Sequence, residues 1–336
     1  MSTPAGSILS LDKVTLRFGG LTAVSSLSLE VAQGSLFGVI GPNGAGKTTA
    51  FNLVTGVYKP TEGTIRFDGK TVAQGGKSGW RSKPYQLTAM GVCRTFQNIR
   101  LFTSLTVLEN VRTAFQTRLK TGMFAATLRT PHFLDEEAAV EAEARELLAL
   151  VDLDKLADAD AANLAYGEQR RLEIARAMAT RPRLLLLDEP AAGMNPSEKV
   201  RLMEMVKKLR ERFGLTVLMI EHDMRFVMNL CEKIVVLDHG EEIARGGPAD
   251  IRNDPQGDRG LPRRSCLGDT LAPLFHSKAQ GAQWGTRIPL PRRPFVQWSP
   301  SPFAPLAPLS QTPGQQEFRP QQRTATACVV FPSLPS

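Results

Sequence analysis

Glycines and a lysine are spaced along residues 41–48 as a phosphate-binding loop needs them. The stretch GPNGAGKT fits the pattern G-x-x-x-x-G-K-[ST]. Its glycines let the backbone curl so that successive N–H groups point at a β-phosphate. Lys47 adds a cation for the β- and γ-phosphates, and Thr48 offers a hydroxyl to Mg²⁺. The residues expected to line this loop are Gly41, Pro42, Asn43, Gly44, Ala45, Gly46, Lys47, Thr48 and Thr49.

A pair of carboxylates ends the apolar run LLLLDEP at residues 184–190. Asp188 should lie beside the phosphate loop if the two strands are neighbours, where it would hold Mg²⁺ through water. Glu189 is the candidate to polarise an attacking water. The sequence therefore predicts a hydrolytic site built on two strand ends.

Two further polar side chains follow predicted strands. His222 comes after LTVLMIE and could donate to a γ-phosphate and orient the water. Gln97 ends GVCRTFQ and is a neutral group able to reach Mg²⁺ or water. Ligands of open α/β sheets bind at the carboxyl ends of strands, so this position is what points to function for both residues.

The stretch LAYGEQRRLE, residues 164–173, predicts a second anion site. It holds no obvious nucleophile, metal ligand or acid–base pair. Gly167 opens a helix, and the free amides of a helix N-terminus attract anions. The phosphate loop lies more than a hundred residues upstream, so the anion bound here need not be the same one.

Apolar runs and turn residues predict the elements that position these groups. Strands are expected at 8–18, 26–32, 35–40, 91–96, 184–188, 215–220 and 233–238. Hairpins are expected over 61–72, with Asp68-Gly69 at the turn, and over 239–244. Helices should cover 47–55, 197–213, 223–230 and much of 105–180. The pattern predicts an α/β domain with a parallel sheet, an N-terminal antiparallel β piece and a helical insertion.

Composition changes after Asp254-Pro255. Residues 256–336 contain 13 of the 23 prolines and hold a net charge of +6 out of +8. We interpret this segment as a disordered Pro/Arg-rich tail, and hypothesise that it is a frameshifted or non-native ending. Since the basic charge is concentrated there, it gives no support for nucleic-acid binding by the folded part.

The remaining bulk features narrow the class of protein. The four cysteines are far apart and form no CxxC pair, which disfavours metal binding and a disulfide framework. The N-terminus lacks the pattern of a secretory signal, and no apolar run approaches 18 residues. We therefore expect a cytoplasmic protein that can still dock onto a membrane protein.

Five motifs occur in one order: GPNGAGKTT, RTFQ, LAYGEQRRLEIARA, LLLLDEP and EHD. This set resembles the ATP-binding subunit of ABC transporters over about residues 8–255. Longer stretches, among them NGAGKTTAFNLVTG, GVCRTFQNIRLF and DEPAAGMNP, resemble the ATP-binding proteins of branched-chain amino acid importers. The resemblance implies a P-loop NTPase core with an N-terminal antiparallel β subdomain. It also implies a helical subdomain, at about 100–180, that carries the signature motif.

The resemblance also assigns roles to single residues. Phe18 occupies the aromatic position that stacks on adenine, His222 matches the switch histidine, and Gln97 matches the residue that faces the permease. LAYGEQ corresponds to the signature motif, which binds the ATP held by a partner subunit in a head-to-tail pair. Its binding residues would be Ala165, Tyr166, Gly167 and Glu168. The implied cofactors are ATP and Mg²⁺, with Lys47, Glu189 and His222 catalytic and Thr48, Gln97 and Asp188 at the metal.

The implied partners are two transmembrane permease subunits and a second ABC ATPase subunit, in a homodimer or heterodimer. A periplasmic or surface substrate-binding protein would act indirectly, and the chain would sit on the inner face of the cell membrane. Other ABC systems stay open, namely amide or urea import and lipopolysaccharide export, whose ATPase shares YGE-type signatures. A soluble ABC ATPase is disfavoured, because the gap of about 115 residues between phosphate loop and signature shows no sustained heptads.

Two motifs depart from the commonest pattern of the family. The usual signature is LSGGQ, whereas this chain has Ala165, Tyr166 and Glu168. Losing the serine hydroxyl removes one phosphate contact, typically about 1–3 kcal/mol when charge-assisted. Asn195 replaces the aspartate most often seen after the carboxylate motif. These changes leave open whether both ATP sites of a dimer are equally active.

Overall fold

The structure is a computed structural model that describes residues 6–118 and 130–253. The predicted tail, 256–336, lies outside the described residues, as do residues 119–129 of the predicted helical insertion. Strands β1 to β11 are Ser7–Phe18, Leu21–Ala32, Leu36–Ile40, Glu62–Phe67, Lys70–Gln74, Trp80–Arg81, Val92–Arg94, Leu184–Asp188, Thr216–Ile220, Lys233–Asp238 and Glu241–Gly246. Helices α1 to α8 are Lys47–Val54, Pro84–Ala89, Val107–Phe115, Pro131–Leu150, Tyr166–Met178, Pro196–Phe213, Met224–Leu230 and Pro248–Asn253.

A six-stranded sheet brings the predicted site residues to one edge. Its strand order is β11-β10-β3-β9-β8-β7, and the pairs from β10 to β7 are all parallel. Asp188 at the end of β8 lies beside Ile220 at the end of β9, and Leu186 lies beside Arg94 of β7. Parallel strands end at the same edge, so the segments that follow β3, β7, β8 and β9 meet there.

Both faces of this sheet are buried, which explains why its strands read as continuous apolar runs. Successive side chains of a strand point to opposite faces. Leu185 and Leu187 pack with residues of α3, α4, α5 and α6 on one face. Leu184 and Leu186 pack on the other face with residues of β1, β2, β4 and α1. The parallel sheet therefore separates a helical layer from the N-terminal β layer, as the sequence predicts.

The N-terminal strands form a five-stranded antiparallel sheet in the order β2-β1-β4-β5-β6. The predicted hairpin turn at Asp68-Gly69 is confirmed, and both residues have positive φ, at 51° and 74°. Two positive φ angles give a turn whose twist matches that of the flanking strands.

None of the helices within residues 6–118 and 130–253 is long and apolar enough to cross a membrane.

Several element boundaries differ from the predicted ones. Strand β2 begins at Leu21 rather than at residue 26, because a two-residue turn at 19–20 pairs Leu21 with Phe18. Strand β7 ends at Arg94, before the predicted residue 96, and the backbone N–H and carbonyl oxygen of Phe96 bind side chains of α5. The short elements β6, α2 and α8 are absent from the sequence prediction, since two to six residues are too few for a period to show.

Candidate functional site

The phosphate loop joins β3 to α1, and close backbone packing explains its glycines. Gly41 and Gly46 have φ angles of 150° and 90°. A Cβ on Gly41 would lie 2.1 Å from the carbonyl oxygen of Leu237, and a Cβ on Gly46 would lie 2.5 Å from that of Ala23. Any larger residue would therefore push the loop away from strands β10 and β2. The loop keeps its amides in place for a phosphate because the two glycines fit this close approach.

Lys47 is buried inside this loop. Its Nζ donates to the carbonyl oxygens of Gly41 and Pro42, both at 2.7 Å. Burial lowers the pKa of the Lys47 ammonium, and the charges of Glu189 and Asp188 oppose that effect. The lysine thus lies within electrostatic reach of both carboxylates. Around it, exposure varies: Ala45 is buried, Gly46 and Thr49 are half-buried, and Pro42, Asn43, Gly44 and Thr48 are exposed.

Glu189 contacts two other predicted site residues, Gln97 and His222. Its Oε1 lies 2.7 Å from Nε2 of His222, and its Oε2 accepts a hydrogen bond from Nε2 of Gln97 at 3.0 Å. Glu189 has a φ of 48°, an uncommon left-handed conformation for a residue with a side chain. The ends of β7, β8 and β9 therefore place an amide, a carboxylate and an imidazole in one hydrogen-bonded group.

Asp188 has a partner that sequence reasoning missed. Its Oδ2 accepts from Nη2 of Arg94 at 2.6 Å, and both side chains are nearly buried. Arg94 also donates to Oδ1 of Asn52 at 2.6 Å and lies over the ring of Phe51. The arginine thus ties Asp188 to helix α1, which begins at Lys47. Its place within a short predicted strand, three residues before Gln97, was the one available signal.

Glu221 is a second residue that sequence reasoning missed. Its side chain is buried and accepts from the backbone N–H of Ala191 at 2.6 Å and of His222 at 3.1 Å. Burial raises the pKa of the Glu221 carboxyl, and these backbone hydrogen bonds oppose the rise. Glu221 joins the segment after Glu189 to the segment that carries His222.

Phe18 lies at the end of β1 and is exposed. Its ring packs edge-on against Tyr58, with a centroid separation of 5.2 Å and an interplanar angle of 78°. This contact with Tyr58 helps to hold the Phe18 ring in place, and an exposed aromatic of this kind can stack on a planar base.

The signature residues form a cleft of their own. Helix α5 begins at Tyr166, and Oε2 of Glu168 accepts from the N–H of Ala165 at 3.0 Å. Ala165 and Tyr166 are exposed, and Gly167 is buried. A Cβ on Gly167 would lie 3.0 Å from Oε1 of Glu198. The cleft, of about 110 Å³, is lined by Ala165, Gly167, Glu168, Arg171, Met194, Glu198, Arg201 and Leu202, and it contains neither Lys47 nor Glu189.

The residues predicted to hold a metal offer a hydroxyl, an amide and a carboxylate, from Thr48, Gln97 and Asp188. Mg²⁺ prefers oxygen ligands and usually keeps waters or phosphate oxygens beside one or two carboxylates. Within residues 6–118 and 130–253, no group of three or more His, Cys, Asp and Glu side chains could form an all-protein cage. The donor set suits Mg²⁺ bound together with a nucleotide.

A groove of about 660 Å³ lies between the segment after β7 and helices α3 and α5. Arg100 lies 4.3 Å from the ring centroid of Phe96, and Arg176 lies 5.5 Å from that of Phe102. Asn110, fully buried, binds both the N–H and the carbonyl oxygen of Phe102 at 2.9 Å. The fold thus fixes two exposed aromatic rings beside basic side chains, a composition typical of protein interfaces.

Comparison with known proteins defines the class to which this fold and site belong. The family model of the ABC transporter matches residues 24–192. The chain belongs to the ATP-binding cassette family of ABC transporters, and the predicted ATPase class is confirmed.

Particular relatives narrow this assignment. The chain is 46% identical over 255 residues to LivG of Escherichia coli (strain K12) and to BraF of Pseudomonas aeruginosa. Both are high-affinity branched-chain amino acid transport ATP-binding proteins, and the match covers 76% of this chain and 96% of each relative. The ADP conformation of MJ1267, an ATP-binding cassette of an ABC transporter, matches with 31% identity and a TM-score of 0.63, covering 74% of this chain and 96% of that one.

Proposed function

We propose that this chain is the ATP-hydrolysing subunit of an ABC importer for branched-chain amino acids. The hydrolytic part rests on the contact of Glu189 with both Gln97 and His222, at the sheet edge where Lys47 also lies. The cargo is supported by the 46% identity to LivG and BraF over most of their length.

The residues of the phosphate loop, Gly41 to Thr49, bind the phosphates through backbone amides. Lys47 exchanges its two carbonyl partners for the β- and γ-phosphates, and Phe18, with Tyr58 against its ring, stacks on adenine. Thr48, Gln97 and Asp188 would hold Mg²⁺, which neutralises phosphate charge when bound. Arg94 keeps the Asp188 carboxylate oriented toward the end of α1.

Glu189 polarises the water that attacks the γ-phosphate, and His222 contacts both Glu189 and that phosphate. Gln97 and His222 each occupy one carboxylate oxygen of Glu189. Each oxygen of an ionised carboxylate has a second lone pair, so Glu189 can still accept a hydrogen bond from the attacking water while Gln97 and His222 stay in contact with it.

The signature residues act on a partner's nucleotide. Ala165, Gly167 and Glu168 line a cleft that contains neither the chain's own Lys47 nor Glu189, and the exposed Tyr166 lies between them in the sequence, which supports this arrangement. Two ABC ATPase subunits, identical or different, pair head to tail, and the amides at the start of α5 reach the γ-phosphate held by the other subunit. ATP closes the dimer, and its cleavage lets the subunits separate.

The groove at Phe96 and Phe102 receives a cytoplasmic segment of a permease. Exposed aromatic rings and arginines at this place support a protein partner. Two permease subunits would sit on the dimer at the inner face of the membrane, and a substrate-binding protein would act on their far side. We assign residues 8–255 to the ATPase domain and interpret residues 256–336, from their composition, as a Pro/Arg-rich tail and a frameshifted or non-native ending.

The substitution Glu189→Gln tests the hydrolytic assignment. The amide keeps the shape of the side chain but removes the base, so we expect ATP-bound dimers that hydrolyse ATP poorly. Turnover would be measured by phosphate release, and dimers by light scattering after gel filtration with ATP. Unchanged turnover would remove Glu189 from this role.

Uptake in cells that lack the gene tests the cargo. Restoring the chain with the products of its gene neighbours should restore uptake of labelled leucine, isoleucine or valine. Restored uptake of urea or short amides, or restored lipopolysaccharide export, would contradict the cargo and leave the ATPase assignment intact.

A further inference from the structure

The buried pair of Arg170 and Glu173 on helix α5 supplies no side chain to the hydrogen-bonded group of Gln97, Glu189 and His222. Arg170 is the largest fully buried side chain among the described residues, and Glu173 is 3% exposed. Nη1 of Arg170 donates to Oε2 of Glu173 at 2.9 Å. Charged side chains are almost never buried this fully unless they are paired, and a buried pair contributes little net stability compared with apolar residues.

The pair also binds the backbone of two loops. Arg170 donates from Nη1 to the carbonyl oxygen of Phe96 at 2.6 Å and from Nη2 to that of Gln97 at 2.9 Å. Nη2 also donates to the carbonyl oxygen of Glu189 at 3.4 Å, and the N–H of Phe96 donates to Oε1 of Glu173 at 3.3 Å. Two charged side chains thus fix the backbone on both sides of Phe96 and at Glu189.

These loops carry the side chains that meet in the proposed hydrolytic site. Gln97 and Glu189 are hydrogen-bonded to each other at 3.0 Å, and Glu189 is held in a left-handed conformation. A residue in that conformation persists only where its surroundings over-determine it. Arg170 supplies one such restraint at the carbonyl of Glu189, while the N–H of Glu189 donates to Ile220 at 2.9 Å.

We infer that Arg170 and Glu173 are positioning residues for hydrolysis, which hold the backbones of Gln97 and Glu189 in the register that lets their side chains meet. The inference rests on the proposed function of Glu189. Helix α5 begins at Tyr166, so Arg170 lies one helical turn after Gly167. The helix that presents its first amides to the partner's nucleotide therefore also fixes this chain's own Gln97 and Glu189. A shift of α5 on dimer closure would therefore move the backbones of Gln97 and Glu189.

Steady-state kinetics of the full-length chain test the inference. Arg170→Met should lower kcat about tenfold or more while the KM for ATP changes less than about twofold, since misplacement of a catalytic group acts on the chemical step. The kcat of Arg170→Lys should lie between those of the wild-type chain and Arg170→Met. A lysine keeps the charge but cannot bind two carbonyl oxygens at once as the planar guanidinium does. Glu173→Gln keeps an acceptor for the N–H of Phe96 and should cost less than Arg170→Met.

Arg118→Met is the matched control. Arg118 donates to Glu143 at 3.0 Å and to the carbonyl oxygen of Ala179, just beyond α5, at 3.1 Å. Its loss removes an arginine that holds the other end of the same helix, so kcat should stay unchanged. Nucleotide binding and thermal unfolding, measured for every variant, identify chains that do not fold. If Arg170→Met fails to fold, Arg170→Lys and Glu173→Gln carry the test.

A double-mutant cycle with Glu189→Gln separates positioning from general support. In single-turnover experiments, each Arg170 variant should lose little or no further rate in the Glu189→Gln background, because the group it positions is already gone. The same fold-loss in both backgrounds, or equal effects on kcat from Arg118→Met and Arg170→Met, would overturn the inference. Full activity of Glu189→Gln itself would instead overturn the proposed function.

Discussion

Lys47 is held inside the phosphate loop by two of the loop's own carbonyl oxygens. Lys47 is nearly buried, and burial lowers the pKa of its ammonium, while the negative charges of Glu189 and Asp188 act to raise it. Phosphate oxygens would replace neutral carbonyls with anionic acceptors, and hydrogen bonds between charged partners are about twice as strong. Lys47 should therefore bind the phosphates of a nucleotide more strongly than it binds the two carbonyl oxygens of the empty loop.

Replacing Lys47 with methionine should weaken ATP binding about tenfold or more, because a hydrogen bond to a charged group contributes about 1.5–3 kcal/mol. Titration with a fluorescent ATP analogue would measure the affinity. Lys59→Met is the control, since Lys59 is exposed and donates only weakly to Gly79, at 3.4 Å. Equal affinities of the Lys47→Met and Lys59→Met proteins would contradict the assignment.

Replacing Phe18 with alanine should raise the Kd for ATP about two- to tenfold, since an aromatic stacking contact is worth about 0.5–1.5 kcal/mol. Trp80→Ala offers a matched control, because both side chains are 45% exposed and Trp80 lies on the edge strand β6. The affinity for ATP, compared with that for inorganic triphosphate, would isolate the contribution of the base. A loss that is the same for both ligands would argue against stacking by Phe18.

At the scale of single residues, the sequence predicts the functional groups that are marked by a short local pattern. The glycines and lysine of the loop stand within eight residues, and Glu189, Gln97 and His222 each follow an apolar strand. In the structure Glu189 contacts both Gln97 and His222 at the edge of the sheet. Arg94, Arg170 and Glu221 were missed because a charged residue in a helix or strand usually faces solvent. Their burial depends on contacts across 19 to 94 residues, such as those of Arg170 with Glu189 and Arg94 with Asp188.

Helix α5 is the element that links the two halves of the proposed mechanism. Its N-terminus has Ala165 before it, a residue without a capping oxygen, and Glu168 caps the N–H of Ala165 instead. The amides of Tyr166 and Gly167 therefore remain for an anion. Further along, Arg170 and Glu173 bind the loops of Gln97 and Glu189.

Changing Gly167 to aspartate should abolish ATP-driven dimerisation without loss of ATP binding to the single chain. The new carboxylate would stand at the amides meant for phosphate and close to Glu198, whose Oε1 would be 3.0 Å from the Cβ. Light scattering in the Glu189→Gln background would report the dimer, and fluorescent nucleotide titration would report binding. Dimers at the usual ATP concentration would contradict the role of this helix end.

The elements of the sheet were predicted to within about two residues where both faces are buried, as in β8 and β10. Continuous apolar runs of five or six residues leave few alternatives to a buried strand. Strand β7 departs from its prediction because the groups that end it belong to α5, more than 70 residues later. Local sequence cannot show where a strand stops when a distant side chain takes its next hydrogen bonds.

At the scale of the whole chain, the phosphate loop and the signature cleft lie at different places in the fold. The loop follows β3 and is packed against β10 and β2, whereas the cleft is formed by α5 and α6. In the proposed mechanism, each chain therefore carries two partial nucleotide sites, and neither contains the groups of the other. An isologous pair of chains would complete both at once, because a two-fold axis repeats every contact.

Mixing two inactive variants tests this shared site directly. Lys47→Met impairs nucleotide binding by the chain's own phosphate loop. Gly167→Asp impairs the signature residues that the chain presents to the nucleotide of its partner. A mixed dimer then keeps one complete site, made from the intact loop of one chain and the intact signature of the other. A mixed dimer has one of the two complete sites of a wild-type dimer, so turnover should rise well above that of either variant alone, to at most about half of the wild-type value. Lys47→Met mixed with Glu189→Gln is the matched control, since every site in that mixture keeps a defect. Recovery in the first mixture alone requires that ATP be hydrolysed between chains. Turnover no higher than that of the separate variants would mean that each chain hydrolyses ATP on its own residues.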